Sequence, residues 1–278
     1  MYLDKKCFKK IGCVSSLGMG TWEIGGGFWS PDYSRDKESI EILRRGLELG
    51  MRFIDTAEMY GGGHSEELVG LAIKGFDRES IFIVSKVWPT NASYDSVLRS
   101  ARASMQRLGT YIDLYLLHWP SEVPICETIR AFEKLVDDGV IRFYGVSNFS
   151  VRQIEEARSC SKKYDVVAVE NRYSLFYRVD ENSVIPYAKR EGLMYIAYTP
   201  LEKGAVARDD FLKRIGEKYG KSATQVALNW LICVDPVIPI PKASKISHVE
   251  ENAGAMGWRL SKEDWESISE RFKRYLMS

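Results

Sequence analysis

Short apolar runs recur along the chain, and each one stops on a polar residue. MRFID at 51–55, IFIVSK at 81–86, IDLYLLH at 112–118, IRFYGVS at 141–147, DVVAVE at 165–170, LMYIAY at 193–198 and VIPIPK at 237–242 are near-continuous rather than alternating. That pattern predicts strands covered on both faces. LGMGTW at 17–22 would be the first of eight. Between the runs the apolar period changes. Ile40, Leu43 and Leu47 fall on one face of a helix over 36–49, ahead of Gly50, and Val97, Ala101, Met105 and Leu108 do so over 94–108, ahead of Gly109. Segments 125–137, 151–160, 180–191 and 222–233 repeat the pattern, and a further helix should begin at HSEELVG.

Strands alternating with helices predict parallel βαβ units. With no linker and no shift in composition, eight such units predict an α/β fold of the closed (β/α)₈ TIM-barrel type, a single domain over residues 1–278. An open Rossmann sheet would need G-x-G-x-x-G after the first strand, and GMGTWE lacks the third glycine. The first ten to fifteen residues, containing KKCFKKIGCV, are expected to form a hairpin plugging the barrel bottom.

Composition narrows the function. A hydrophobic share of 45% suffices for a large core, and a net charge of +1 leaves no footprint for nucleic acid or an anionic membrane. The five cysteines lack CxxC or zinc spacing, which predicts a reduced, cytoplasmic protein. The start, MYLDKKCFKK, is too polar for a signal peptide, and no apolar run approaches a membrane span.

Barrel enzymes place their chemistry at the C-terminal ends of strands. Here those ends are Asp55, Lys86, His118, Ser147 with Asn148, Glu170, Tyr198 and Lys242, and Tyr60 follows Asp55 by one loop. Singly, each has a structural alternative: a capping aspartate, an ion-paired lysine, a core histidine, a loop aromatic. Together they suggest a tuned acid–base site. An ammonium beside a tyrosine favours the phenolate, so Lys86 is expected to lower the pKa of Tyr60 from about 10 toward neutrality. Asp55 would hold Lys86, and neutral His118 would donate to a substrate oxygen. This is poor company for a metal, and no serine or cysteine is set beside a base. Hydride transfer to a carbonyl therefore fits better than hydrolysis.

At this point the chain resembles the aldo-keto reductase superfamily along nearly its whole length. The matching motifs, in order, are GMGTW 18–22, DTAEMYG 55–61, SKVW 85–88, DLYLLHWP 113–120, GVSN 145–148, AYTPL 197–201 and IPIPK…VEEN 238–252. The resemblance implies reduction of aldehydes and ketones with NADP(H), NAD(H) being the alternative, by a tetrad of Tyr60 as proton donor with Lys86, Asp55 and His118. It implies that Thr21, Trp22, Asp55, Ser147, Asn148, Glu170 and Tyr198 lie around the nicotinamide. Thr199, Leu201, Lys203 and Gly204 would follow the pyrophosphate, and Lys242, Ser244, His248, Glu251 and Asn252 the adenine-ribose end. Trp22, Trp88 and Trp119, with His118, would line the substrate pocket. Gly61, Gly62 and Gly63 are then a positive-φ turn that aims Tyr60 inward, not a P-loop. His64 is expected to be solvated or capping, and Glu58 not to be the acid–base residue.

Two positions depart from the family. Glu170 stands where glutamine is common, and is expected to be partly protonated or paired with Arg172. His248 stands where NADPH-specific members carry arginine, which leaves Lys242 and Lys245 to meet a 2′-phosphate. The alternatives to a carbonyl reductase are a sugar or alcohol dehydrogenase working mainly in oxidation, and a nucleotide-sensing regulatory protein with little turnover. The loops 23–36, 119–125 and 201–210 should set specificity, and the short C-terminus predicts an open pocket for a small-molecule carbonyl or alcohol.

Overall fold

The apolar runs become strands, arranged in the order in which they occur along the chain. The computed structural model describes residues 4–277, so residues 1–3 of the predicted hairpin lie outside it. An antiparallel hairpin comes first, β1 (Lys5–Phe8) and β2 (Gly12–Ser15). Eight parallel strands follow: β3 (Met19–Gly20), β4 (Phe53–Asp55), β5 (Phe82–Val87), β6 (Ile112–Leu117), β7 (Ile141–Ser147), β8 (Val166–Arg172), β9 (Met194–Tyr198) and β10 (Val237–Pro239). Gly18 N donates to Pro239 O at 2.9 Å and Gly20 N to Pro241 O at 3.1 Å, joining the first strand to the last. The result is the predicted (β/α)₈ barrel in one domain.

The helices are α1 (Asp36–Glu48), α2 (His64–Ala72), α3 (Tyr94–Leu108), α4 (Ile125–Asp137), α5 (Val151–Cys160), α6 (Val184–Glu191), α7 (Asp210–Tyr219), α8 (Ala223–Ile232), α9 (Ile246–Ala253) and α10 (Lys262–Arg271). Of these, α7, α9 and α10 lie outside the helical ranges set out from the apolar period. Ser150 and Ser222 open α5 and α8 with capping boxes, answered by Gln153 and Gln225.

The end strands are shorter than the apolar runs suggest, for local reasons. A Cβ on Gly20 would lie 2.8 Å from Ile240 O, so only glycine admits the close approach that closes the ring. Pro239 and Pro241 have no N–H to give to a ladder, and β10 stops at Pro239 although its run continues to 242.

The core has two layers. Phe53, Phe82, Val84, Leu114, Leu116, Met194, Ile196 and Ile238 fill the barrel, and Phe8 and Val14 of the hairpin join them from below. Each such side chain contributes about 1.5–3 kcal/mol by leaving water. The hairpin is thus the predicted plug, tied on by Lys6 Nζ, which donates to Val234 O at 2.7 Å and Val237 O at 2.6 Å. Outside, Leu43, Leu47, Val97, Phe132, Ile154 and Trp230 pack against the outward faces of the strands.

Two disulfides, Cys7–Cys13 and Cys126–Cys160, correct the reading of five reduced thiols; Cys233 is free. The hairpin register sets Cys7 directly opposite Cys13, a relation that linear spacing does not reveal. Among the described residues no helix is long and apolar enough to cross a membrane.

Candidate active site

Asp55 ends β4 and Lys86 lies near the end of the neighbouring β5, so both side chains reach the same rim of the barrel. Both are buried. Lys86 Nζ donates to Asp55 Oδ1 and Oδ2, each at 2.7 Å, and to Thr56 O at 3.1 Å. It also lies 3.5 Å from the Tyr60 hydroxyl oxygen. The glycine turn holds Tyr60 in place: φ is +57° at Gly61, +62° at Gly62 and +99° at Gly63. A Cβ on Gly61 would meet Gly25 O at 2.2 Å, while Gly61 N donates to Gly27 O at 2.7 Å. The turn is therefore clamped against the loop after β3, as glycine alone allows.

Burial sets the electrostatics of this cluster. It raises the pKa of Asp55, against the pull of Lys86. Burial alone would lower that of Lys86, but the neighbouring carboxyls of Asp55 and Glu170 outweigh it, and the amine is held as an ammonium. Tyr60 corrects the sequence expectation. Burial pushes its phenol up rather than toward neutrality, with Asp55 and Glu170 acting in the same sense and Lys86 only partly opposing them. Tyr60 therefore keeps its proton, which a proton donor needs. His118 is driven well below its usual range by burial and then by Lys86, so its imidazole is neutral.

His118 and Tyr60 face each other with ring centroids 5.8 Å apart, and an aromatic wall continues from them. Trp22 meets Tyr60 edge-on at 5.1 Å, and Trp88 meets His118 at 5.2 Å. Phe28 and Trp29, from the loop after β3, pack on Trp88 at 5.3 and 6.3 Å. Trp119 stands exposed beside His118 in sequence.

A second group of predicted residues lines the rim from β7 to β10. Asn148, in the left-handed region at φ +63°, donates to His118 O at 2.9 Å and to Ser147 Oγ at 3.1 Å. Tyr198 donates to Asn148 Oδ1 at 2.7 Å, and burial pushes its phenol up to about 12. Thr199 and Lys203 take positive φ in the loop containing Leu201, and Gly204 (φ +88°) follows. Glu170 is buried with Oε1 at 3.4 Å from Lys86 Nζ. Arg172 does not pair with it as expected. Arg172 turns to Glu202, at 3.2 and 2.5 Å, because that carboxylate, in the loop after β9, takes two of its N–H groups at once. Past β10, Ser244 Oγ and exposed His248 Nδ1 are 3.4 Å apart, Glu251 accepts from Ser222 Oγ at 2.6 Å, and Asn252 is buried.

Buried polar atoms without a partner test whether these residues fit a nicotinamide dinucleotide. Among the described residues they include His118 Nδ1, Glu170 Oε2 and Asn252 Nδ2. All three belong to the predicted site, and buried groups of this kind require a partner. The residues fit the group. Thr21 fits it less well, since its hydroxyl is committed to Asp55 O at 2.9 Å and accepts from Ser65 Oγ at 2.9 Å; it braces the tetrad from behind.

Other side chains differ from expectation. His64 is buried, not solvated: its ring nitrogens lie 2.8 Å from Asp36 and 2.7 Å from Glu67. Glu58 accepts from Trp88 N at 2.7 Å and Asn91 Nδ2 at 3.0 Å, a brace for the loop after β5. Lys242 is bound by Glu23 Oε2 at 2.6 Å, and Arg35 reaches Ser244 O at 3.0 Å. Sequence reasoning missed Glu23, Arg35, Phe28 and Trp29. All four lie in the loop 23–36, which it marked for specificity without ranking its residues.

The chain is similar to known proteins along most of its length. Residues 16–271 match the model of the Aldo/keto reductase family. Methylglyoxal reductase YeaE of Escherichia coli (strain K12) is 38% identical over 267 residues, covering 93% of this chain and 92% of its own. Glyoxal reductase of Bacillus subtilis (strain 168) is 36% identical over 255 residues, covering 91% of this chain and 87% of its own. An aldo/keto reductase from Klebsiella pneumoniae, solved in complex with NADP and acetate, superposes with a TM-score of 0.89 at 32% identity, covering 98% of this chain and 96% of its own.

Proposed function

The chain belongs to the aldo/keto reductase family and is an NADP(H)-dependent carbonyl reductase, and from that premise we propose that Tyr60 is its proton donor and that its substrates are small aldehydes and ketones, α-dicarbonyls such as methylglyoxal first among them. The observation that carries the assignment is the chain of contacts from Asp55 to Lys86 at 2.7 Å and from Lys86 to the Tyr60 hydroxyl at 3.5 Å. The substrate class follows the relatives named methylglyoxal reductase and glyoxal reductase.

In the proposed mechanism the nicotinamide, when bound, supplies the hydride. Ser147, Asn148, Glu170 and Tyr198 hold and orient its ring, while Lys242, Ser244, His248, Glu251 and Asn252 hold the adenine-ribose end. Neutral His118 orients the carbonyl oxygen. Tyr60 gives its hydroxyl proton to that oxygen as negative charge develops there. The phenolate left behind is stabilised by the ammonium of Lys86, which Asp55 fixes in position. Trp22, Trp88, Phe28 and Trp29 keep water from the reacting atoms and offer a flat apolar wall to the substrate. The compartment we propose is the cytoplasm, where a nicotinamide-dependent reductase meets its cofactor.

The test follows NADPH absorbance with purified protein and methylglyoxal, glyceraldehyde and a nitrobenzaldehyde, with Tyr60→Phe alongside. Turnover by the wild type and not by Tyr60→Phe is expected. Equal turnover by the two would remove Tyr60 from the role.

One observation favours a second reading, oxidation of an alcohol or sugar with NAD. Lys242 is already engaged by Glu23, so a 2′-phosphate must displace that carboxylate before it can pair with the lysine. The ratio of the NADPH and NADH dissociation constants separates the two.

A further inference from the structure

The charges at the base of this site do not cancel. Lys86 brings one positive charge, and two carboxyl groups share it, Asp55 at 2.7 Å and Glu170 at 3.4 Å. Among the described residues no second cation reaches the cluster. Arg172, on the same strand as Glu170, is bound to Glu202. From β7 the register partner of Glu170 is Ser147, with Asn148 just beyond it, from β9 it is Ile196, and none of these carries a charge; the Tyr198 phenol further along β9 keeps its proton. Tyr60 keeps its proton and His118 is a neutral imidazole. Two ionised carboxylates would leave a net negative charge in a dry site, which is costly.

We propose that Glu170 carries a proton while Asp55 does not, and that this neutral acid, through its unpartnered Oε2, is the group the site offers to the carboxamide of the cofactor. The inference rests on the reading of the site as that of an NADP(H)-dependent reductase. The geometry decides which carboxyl holds the proton. Asp55 receives both short bonds from the ammonium, which suit an anion. Glu170 receives one long contact from the ammonium at Oε1 and shares a hydrogen bond with Asp55, which two anions could not make, while Oε2 has no donor of its own. Burial and the nearby Asp55 push its pKa well above the usual carboxylate range.

The consequence concerns recognition. A carboxamide presents both an NH₂ donor and a C=O acceptor. A carboxylate only accepts, whereas a carboxylic acid can donate and accept, as an amide side chain does. The proton lets a glutamate serve at a position where the family commonly carries glutamine. Glu170 is in this sense a positioning residue: its proton also leaves Asp55 as the sole anion on Lys86.

The experiment uses the cofactor-free protein. Infrared difference spectra at neutral pH, wild type minus Glu170→Gln, should show the C=O stretch of one neutral carboxylic acid. Taking the difference removes other buried acids such as Glu66 and Asp113. Asp55→Asn supplies a check that a purely structural role would not pass. With one carboxyl left for one ammonium, Glu170 should ionise and the band should vanish. NADPH titrated by protein fluorescence should bind the wild type up to about tenfold more weakly for each pH unit above the point where Glu170 ionises, while Glu170→Gln stays level. A missing band in the wild type, or a band that survives in Asp55→Asn, overturns the proposal. Turnover does not enter this readout. A band without carbonyl reduction would reject the enzymatic reading alone, and reduction without a band would reject this inference alone.

Discussion

Both carboxylate oxygens of Asp55 lie 2.7 Å from the ammonium of Lys86, and both side chains are closed off from solvent. A pair of this kind is costly to break from one side, because the remaining charge stays buried. Lys86→Met should therefore cost about 3–5 kcal/mol of stability and lower kcat by about 10²–10⁴. Asp55→Asn keeps the shape and leaves Glu170 to pair with Lys86, so its stability loss should be smaller. Urea unfolding midpoints check this, and an unchanged midpoint for Lys86→Met would show that the pair is not desolvated.

Tyr60 holds its proton because burial raises its pKa, and His118 stays neutral because burial lowers its own. The reductive rate should then lose neither group between about pH 6.5 and about pH 9, inside the ordinary ranges of histidine and tyrosine. A kcat for carbonyl reduction that is level across this window is expected. A fall centred near neutrality would restore the lowered phenol that the sequence suggested. Tyr60→Phe should reduce kcat by about 10²–10⁴ while NADPH binding changes little.

His64 links the loop after β3 to α2: its nitrogens meet Asp36 and Glu67, and Tyr33 packs on its ring at 4.3 Å. Burial alone would lower its pKa, but hydrogen bonds to the two carboxylates outweigh it and the net shift is upward. A raised folded value means stability fully present below the unfolded value of about 6.5 and lost as pH rises through the folded one. Wild type should therefore exceed His64→Gln in melting temperature by more at about pH 5.5 than at about pH 8.5. His118 acts with the opposite sign, but it is present in both proteins and cancels. A difference that grows with pH would contradict the ion pairing.

The barrel was legible because each apolar run is buried on both faces and stops where the strand meets the rim. Asp55, Lys86, His118 and Tyr198 were found at those stops, and LGMGTW was placed as the first strand, but that its glycines close the ring, lying against Phe53 and Ile240, is seen only in the structure. What could not be read depends on distance in space. His64 and Asp36 are 28 positions apart, and Cys126 and Cys160 are 34 apart. The direction of the Tyr60 shift needed the burial of the phenol and the approach of Glu170 from β8, which no spacing encodes. Lys242 looked free because its partner, Glu23, lies in the first loop at the other end of the chain.

That contact leads to the last prediction. Lys242 Nζ and Glu23 Oε2 are 2.6 Å apart, with both side chains partly in solvent. Exposed pairs of this kind are worth about 0–1 kcal/mol, so a dianionic 2′-phosphate can displace Glu23 at modest cost. Glu23→Gln should then tighten NADPH binding by up to about fivefold and leave NADH binding nearly unchanged. Lys242→Met should weaken NADPH binding by about tenfold or more, the loss of a charge-assisted bond, again with little effect on NADH. Both shifts should shrink as salt rises, because the groups are screened. Titration of each variant with the two cofactors at low and high salt gives the answer. If Lys242→Met weakened NADPH and NADH equally, the lysine would be serving the shared part of the cofactor, and discrimination would have to come from elsewhere, with Arg35 against Ser244 O the next residue to change.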